Sequence, residues 1–179
     1  FLTQEGVDRY DGKYIKHYNF SDDSIKLDSR IALNWLYMDS GNILWVIGQK
    51  GRIFRYDSQH DKFKLAYIHP ELIRNKPQAF LNYGYLDKSD RIWLCYKDSI
   101  TWYDIRTGTT LHMPTPVNGE ITAIEQTDDN HFFIGTGSGL FHARIEKGKL
   151  NIMPDKMMEG IGTSVHELYY HAVSKQLFV

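Results

Sequence analysis

The sequence predicts an all-β fold built from repeated four-stranded antiparallel sheets, and a recurring spacing of residues is the first observation behind this. An aspartate precedes a tryptophan by six residues in two segments, DSGNILW ending at Trp45 and DKSDRIW ending at Trp93. Weaker copies, TDDNHFF and AVSKQLF, end at Phe133 and Phe178. A repeat of roughly 40 to 50 residues is typical of propeller blades or solenoid units.

The second observation is the number of strands in each repeat. An apolar segment precedes each anchor residue, the anchor strand follows, and polar or glycine-rich turns such as GQKG and RTGT separate the later strands. Helical periodicity is nearly absent, apart from one short turn expected over residues 70–74. Four short antiparallel strands per repeat predict a β-propeller blade.

The repeats therefore predict one β-propeller segment that extends over residues 1–179. Half-blades are expected over residues 1–20 and 165–179, with whole blades between them over 31–67, 80–113 and 121–153. The second strand of each blade is predicted over residues 43–47, 91–96, 131–135 and 176–179.

The repeated residues have predictable structural roles. Asp39 and Asp87 are expected to start turns in which the carboxylate accepts backbone N–H groups, with Gly41 supplying a positive φ. Trp45 and Trp93 are expected to fill the space between neighbouring sheets. Removing Trp93 is therefore expected to cost far more stability than removing Asp87, whose loss would cost about one hydrogen bond, roughly 1 kcal/mol.

Composition limits the classes of function. Apolar residues make up 42% of the chain and charged residues 24%, proportions typical of a globular protein. The net charge of −1 argues against contact with nucleic acid. A single cysteine, Cys95, precludes an internal disulfide. No apolar run approaches the roughly 20 residues of a membrane span. Because the first residue is Phe rather than Met, we expect an excised piece or a processed product.

Motif searches give no catalytic or metal site. The segment GTGSG at residues 135–139 lies between two strands and predicts a hairpin turn rather than a phosphate-binding loop. The eight histidines lack zinc-ligand spacing, so no metal or other cofactor is expected. Glu120, Glu125 and Glu167 are candidate glycosidase acids, and sequence cannot show whether two of them flank one bond.

The segments DSGNILWVIGQKGRIFRYD, residues 39–57, and GTGSGLFHA, residues 135–143, resemble the two-component regulator propeller repeat. The resemblance is strong over residues 31–67 and fair over 80–145, with departures at Phe133, at Cys95-Tyr96 and at residues 142–144. It implies a larger, seven-bladed propeller in the periplasmic ectodomain of a hybrid two-component sensor histidine kinase of carbohydrate-using gut bacteria. Membrane contact would then be made only by the parent protein.

The resemblance implies a non-enzymatic segment that senses an oligosaccharide, with the rest of the parent sensor as a partner and a homodimer left open. The alternatives are a propeller-fold lyase or hydrolase and a protein-interaction scaffold. In a blade, the loops joining strands two and three share one face with those leading to the next blade. On that face we place residues 49–50, 97–98, Ser138 and the connection 69–78.

Two aromatic residues on first strands are expected to line the central channel, where they could stack on a sugar ring or simply fill the core. The predicted ligand-binding residues are Trp35, Lys50, Arg74, Asn75, Tyr83 and Lys97.

Overall fold

The computed structural model describes residues 1–3, 6–20, 32–70, 80–117, 119–153 and 164–179. Their regular secondary structure is almost entirely β-strand, with one short 3₁₀ turn at Gln49–Gly51. The strands are β1 (Val7–Tyr10), β2 (Ile15–Tyr18), β3 (Leu33–Met38), β4 (Leu44–Gly48), β5 (Arg52–Asp57), β6 (Lys62–Tyr67), β7 (Tyr83–Leu86), β8 (Arg91–Cys95), β9 (Ser99–Asp104), β10 (Thr110–Pro114), β11 (Ile121–Gln126), β12 (His131–Thr136), β13 (Gly139–Glu146), β14 (Lys149–Met153), β15 (Tyr169–His171) and β16 (Gln176–Phe178).

The strands form the antiparallel sheets that the repeats predict. Three sheets have four strands in sequential order, β3-β4-β5-β6, β7-β8-β9-β10 and β11-β12-β13-β14. Two further sheets, β1-β2 and β15-β16, have two strands each. The predicted fold class, blades of four antiparallel strands, is confirmed, and the number of blades in a complete propeller stays a prediction.

The chain divides into two compact units, residues 1–84 and 85–179, with the boundary inside β7. The first unit contains the sheets β1-β2 and β3-β4-β5-β6. The second contains β8 to β16.

The turn before each anchor tryptophan is organised by one aspartate. The Asp39 Oδ1 atom accepts the backbone N–H groups of Gly41 at 2.9 Å and Ile43 at 2.8 Å. Its Oδ2 atom accepts the indole Nε1–H of Trp45 at 2.7 Å. The carboxylate thus holds both the backbone of the turn and the Trp45 side chain in the following strand.

The second repeat reproduces this arrangement. The Asp87 Oδ1 atom accepts the N–H groups of Ser89 at 2.9 Å and Arg91 at 3.0 Å, and Oδ2 accepts the Trp93 indole at 2.8 Å. Oδ2 also accepts the Arg91 guanidinium Nε at 2.7 Å. The Asp87 side chain has no exposed surface, so these bonds replace all of its hydration.

The position of positive φ in these turns differs from the sequence expectation. Gly41 was expected to adopt it, whereas the left-handed residue is Asn42 (φ 60°), and Asp90 (φ 59°) holds the equivalent place in the second turn. Asn and Asp enter this region more readily than other side-chain-bearing residues, so the turn does not require glycine there.

Both anchor tryptophans are buried, Trp45 with 2% and Trp93 with 0% of its surface exposed. The Trp93 ring packs against Trp102 of its own sheet, with centroids 5.0 Å apart. Across to the next sheet of the same unit, it packs against Phe132 at 4.8 Å. This confirms that an anchor fills the space between neighbouring blades.

Hydrogen bonds also join the sheets of the second unit. The Gln126 Oε1 atom accepts the Lys88 backbone N–H at 2.6 Å, and the Lys88 ammonium donates to the Gln126 carbonyl at 3.0 Å. Further along the chain, Val165 approaches Gly135 so closely that a Cβ there would lie 2.6 Å from Val165 Cγ1. Glycine at 135 therefore allows the segment before β15 to pack on β12.

The structure changes the expected cost of removing Asp87. Asp87→Ala leaves two backbone donors, an indole and a guanidinium without their acceptor, and hydrogen bonds to a charged group are worth about 1.5–3 kcal/mol each. We expect a loss of about 3 kcal/mol in the free energy of unfolding, comparable with the roughly 3–5 kcal/mol expected for Trp93→Ala. Denaturant unfolding of both variants tests this, with the exposed Asp129→Ala as the control. A loss near 1 kcal/mol for Asp87→Ala would contradict it.

Candidate functional site

The second unit brings together three loops that the sequence places on the ligand face. Lys97 and Asp98 form the turn between β8 and β9, which the hydrogen bond from the Tyr96 N–H to the Ser99 carbonyl closes at 2.8 Å. The Thr115 N–H, just after β10, donates to the Asp98 carbonyl at 3.0 Å. The turn at 97–98 is thereby tied to the segment that leads to β11.

A turn at Gly119 brings in the third loop. Gly119 adopts a φ of +101°, in the region that favours glycine, and a side chain there would meet the Ser138 hydroxyl oxygen at 3.3 Å. Ser138 lies in the turn between β12 and β13, where its hydroxyl hydrogen-bonds the buried Thr136 hydroxyl at 3.1 Å. The predicted residues Lys97, Asp98 and Ser138 thus belong to one loop cluster.

The 97–98 turn and the connection after β10 line a pocket of about 290 Å³. Its lining carries charges of both signs, together with one hydroxyl and one apolar floor residue. The lining residues are Lys97, Asp98, Thr115, Val117, Gly119 and Glu120.

The chemistry of the pocket is mixed. Lys97, Asp98 and Glu120 are solvent-exposed, whereas Val117 is buried beneath them. The Thr115 Oγ1 atom is buried and has no hydrogen-bond partner among the residues that the structure describes. A buried hydroxyl without a partner is energetically unfavourable, so a ligand whose binding moved the Thr115 side chain and paired its Oγ1 atom would be favoured.

Sequence reasoning identified Lys97, Asp98 and Ser138 but missed Thr115 and Glu120. Both residues lie in the connection to the next blade, which the prediction assigned to the same face, but this connection was not singled out because it is short. The pocket lining contains no aromatic residue. The expected combination of an aromatic platform with these polar groups is therefore not seen there.

The two predicted channel aromatics, Trp35 and Tyr83, lie in the first unit. They occupy the first strands β3 and β7 as predicted, and their rings meet edge to face with centroids 5.9 Å apart. A Cβ at Gly84 would lie 2.9 Å from Trp35 Cε3, so the indole packs on the backbone of β7. The Tyr37 hydroxyl donates to the Gly84 carbonyl at 2.7 Å beside it. These contacts favour a packing role for Trp35.

Of the three remaining predicted residues, only Lys50 lies among the residues that the structure describes. Lys50 lies in the 3₁₀ turn with a φ of 67° and is half-buried, while Gln49 donates its N–H to the Ala32 carbonyl at 2.7 Å. Arg74 and Asn75, like the rest of residues 71–79 and most of the short helical turn expected there, lie outside the described residues.

The carboxylates considered as glycosidase acids lie in different surroundings. Glu120 lines the pocket and Glu167 is exposed, whereas Glu125 is half-buried on β11 and accepts the Tyr170 N–H at 3.3 Å. Burial raises the pKa of Glu125, although that hydrogen bond and the charge of Lys88 oppose the shift. Glu125 thus serves to connect β11 with β15.

The described residues give little support for a cysteine nucleophile or a metal site. Cys95 is fully buried, and burial raises the pKa of its thiol, which suppresses the reactive thiolate. In the described ranges, no three His, Cys, Asp or Glu side chains are grouped to hold a metal ion.

No helix among the described residues is both long and apolar enough to span a bilayer.

Comparison with known proteins identifies the fold. No family model matches the chain, and no curated protein matches it. One similar solved structure is described as the extracellular domain of a hybrid two component system, BT3049 of B. thetaiotaomicron, with a TM-score of 0.66 and 19% identity over 99% of this chain. A second such domain, BT4673 of the same organism, gives a TM-score of 0.69 and 14% identity over 98% of this chain.

The fold is that of β-propeller blades. A catalytically inactive virginiamycin B lyase from Staphylococcus aureus is also similar, with a TM-score of 0.64 and 16% identity over 92% of this chain. The chain spans only 27% and 23% of the two extracellular domains and 53% of the lyase. At these identities the likeness concerns the fold alone, and a sensor and an enzyme share it.

The raised pKa of Glu125 predicts how stability depends on pH. Because folding favours the protonated carboxyl, ionisation destabilises the fold above the folded-state pKa, and this cost disappears below the ordinary pKa of glutamate. Glu125→Gln keeps an acceptor for the Tyr170 N–H without the charge. We expect this variant to unfold at a higher denaturant concentration than the parent chain at pH 7, with the difference shrinking as the pH falls. Glu167→Gln is the exposed control, and a Glu125→Gln variant less stable at pH 7 would contradict the assignment.

Proposed function

We propose that this chain is a ligand-sensing propeller segment of the extracellular or periplasmic domain of a hybrid two-component sensor. Its ligand is an oligosaccharide, and its output, through the parent protein, is control of transcription. The observation that carries the proposal is the polar pocket lined by the 97–98 turn and the connection after β10, on the predicted ligand face. The repeat segments at residues 39–57 and 135–143 and the two similar extracellular domains support the assignment to a sensor.

The size of the pocket suits part of a sugar chain. Ligand pockets are typically about 300–1,000 Å³, and a pocket of about 290 Å³ lies just below that range. One sugar ring would enter it, and the remaining rings would extend across the exposed loops. Rigid strands that carry variable loops are the usual arrangement for recognition.

The charges of the pocket suggest which sugars bind. The lining contains one ammonium, from Lys97, and two carboxylates, from Asp98 and Glu120, and therefore carries a net negative charge. Carboxylates accept and the ammonium donates hydrogen bonds to hydroxyls, whereas an added anionic group on the ligand would be repelled. A neutral oligosaccharide is therefore favoured over a uronate or a sulfated glycan.

Binding must then change the conformation of the parent protein. A ligand shifts an equilibrium only by its difference in affinity for the two states. A ligand that contacts the 97–98 turn and the connection after β10 at once would favour the state in which these two loops lie together. Phosphotransfer would belong to other parts of the parent protein.

Turnover distinguishes this proposal from its main alternative. The similarity to a lyase makes an enzyme the second candidate, but the pocket carboxylates are exposed and neither serine nor cysteine lines the pocket. A glycan array followed by calorimetry and product analysis separates the candidates. We expect saturable binding of a neutral glycan without a product. A released product would indicate an enzyme, and the absence of binding to any glycan would favour an interaction scaffold.

Replacing Thr115 tests most directly whether the ligand binds in this pocket. Thr115→Val removes the buried Oγ1, so we expect stability to be unchanged or slightly higher while affinity for the glycan found on the array falls about fivefold, the worth of roughly one hydrogen bond. The matched control is Thr110→Val, the same change at an exposed position of β10. Unaltered affinity in a folded Thr115→Val variant would place the ligand elsewhere.

A further inference from the structure

The segment that leads into β15 is attached to the third whole blade at Val165. The Val165 N–H donates to the Thr136 carbonyl at 3.0 Å, and the Val165 carbonyl accepts the Thr122 hydroxyl. The side chain is buried against Gly135, where a Cβ would lie 2.6 Å from Val165 Cγ1. Strands β11 and β12 thus hold both backbone polar groups of Val165 as well as its side chain.

Thr122 reaches Val165 because it occupies a β-bulge. The pairing of β11 with β12 shifts by one residue between Ile121 and Ala123, so Thr122 is the extra residue of the bulge. A bulge bends its strand locally and can redirect a side chain. The Thr122 hydroxyl is directed to the Val165 carbonyl. Because β11 follows the connection after β10, Thr122 lies only a few residues beyond the wall of the pocket.

Thr136 holds the other polar group of Val165 and also orders the turn between β12 and β13. Its buried hydroxyl donates to the Gly139 carbonyl at 3.1 Å and accepts the Ser138 N–H at 3.1 Å. Since the proton of the Thr136 hydroxyl goes to Gly139, the Ser138 hydroxyl is the donor in the 3.1 Å contact between the two hydroxyls. One donor and two lone pairs of Thr136 are therefore all used within this turn.

Gly119 is the point at which the pocket wall meets this turn. A Cβ at Gly119 would lie 3.3 Å from the Ser138 hydroxyl oxygen and 3.8 Å from Thr136 Oγ1. Ser138 cannot move away without changing its hydrogen bond to Thr136, and close packing transmits such displacements. A shift of Gly119 towards the turn would therefore act on Thr136, which holds the Val165 N–H.

We propose that these contacts couple the pocket to the blade that follows it. A shift of the connection after β10 reaches Val165 by two routes, one through Thr122 in β11 and one through Ser138 and Thr136. The two routes end on different polar groups of Val165, so the connection and the segment before β15 change position together. The coupling rests on the proposed function for what moves the connection, which is a bound neutral glycan.

Coupling of this kind has a thermodynamic consequence. A ligand that binds one position of the connection more tightly shifts the population towards that position, and with it the attachment of Val165. The attachment of Val165 in turn changes the affinity of the pocket by the same factor. A ligand-face loop can thereby influence the next blade through two hydrogen bonds and a loop contact, while the strand ladders stay intact.

Hydrogen exchange of backbone amides tests the coupling without a ligand. Gly119→Ala places a Cβ against the Ser138 hydroxyl, so the protection of the Val165 amide should fall about fivefold relative to the Ile145 amide, the low end of the range for coupled sites. Ile145 is the reference because its N–H donates to the Asn130 carbonyl at 2.8 Å, at the opposite end of β12.

A control and a rescue make this test specific. Gly148→Ala is the matched control, since Gly148 also has a positive φ of 73° but a Cβ there would meet no described atom within 4 Å. It should leave the ratio of the two amides unchanged. Adding Ser138→Ala to Gly119→Ala removes the oxygen that the new Cβ meets and should restore the protection of Val165. Full protection of Val165 in Gly119→Ala, or no recovery in the combined variant, would overturn the proposal.

Thr122→Val tests the coupling in the reverse direction. The change keeps the β-branched shape and removes the donor to the Val165 carbonyl, so the Val165 amide should exchange about fivefold faster, the worth of one hydrogen bond. The Thr115 amide, which donates to the Asp98 carbonyl in the pocket wall, should also exchange faster. Thr110→Val, at an exposed position of β10, is the control.

An unchanged Thr115 amide in Thr122→Val would show that the attachment of Val165 does not reach the pocket, and would contradict the coupling. Neither experiment contains a glycan. Failure of the coupling therefore leaves the glycan-binding proposal standing, and failure of the glycan screen leaves the measured coupling standing.

Discussion

A buried carboxylate that binds both its own turn and a tryptophan six residues later is the interaction on which the first two whole blades depend. A turn of this kind has two backbone N–H groups that point inward and must be paired. The aspartate accepts both with one oxygen and holds the indole with the other. The tryptophan can then fill the space between sheets without leaving its N–H unpaired, which is the usual difficulty of burying that side chain.

The third whole blade shows that the two residues act as a pair. Where the first two blades have aspartate and tryptophan, the third has Thr127 and Phe133. Phenylalanine has no ring donor, so the acceptor is not needed, and the Thr127 hydroxyl instead donates to the His131 carbonyl at 3.3 Å within the turn. The Thr127 N–H keeps the turn-closing bond to that same carbonyl at 3.0 Å. The neighbouring Asp128 Oδ1 atom accepts the N–H groups of Asn130 and His131, each at 3.1 Å, so the turn keeps a carboxylate acceptor although aspartate and tryptophan are both replaced.

The blade scaffold was predictable because its signals are local. Strand, turn and anchor positions follow from apolar segments and turn residues, and the strands that contain Trp45 and Trp93 lie within one residue of the predicted bounds. The bond between Asp87 and Trp93 was not predicted, since the spacing alone does not show to which side of the turn each side chain points. The left-handed residue was misplaced at Gly41 because Asn42 also tolerates that conformation. Thr115 escaped notice because its burial depends on how the connection after β10 packs beside the 97–98 turn.

The central claim is that the aspartate and the anchor tryptophan stabilise the blade as one unit, and a double-mutant cycle measures this directly. The cycle compares Asp87→Ala, Trp93→Phe and the combined variant by their free energies of unfolding, because phenylalanine keeps an aromatic ring in the space between sheets and removes the indole donor. Residues that share a hydrogen bond show coupling energies of about 0.5–3 kcal/mol. We predict a coupling of at least about 1 kcal/mol, with the combined variant less destabilised than the sum of the two single changes. Additive losses would show that the carboxylate and the tryptophan act independently, and would contradict this account of the blade.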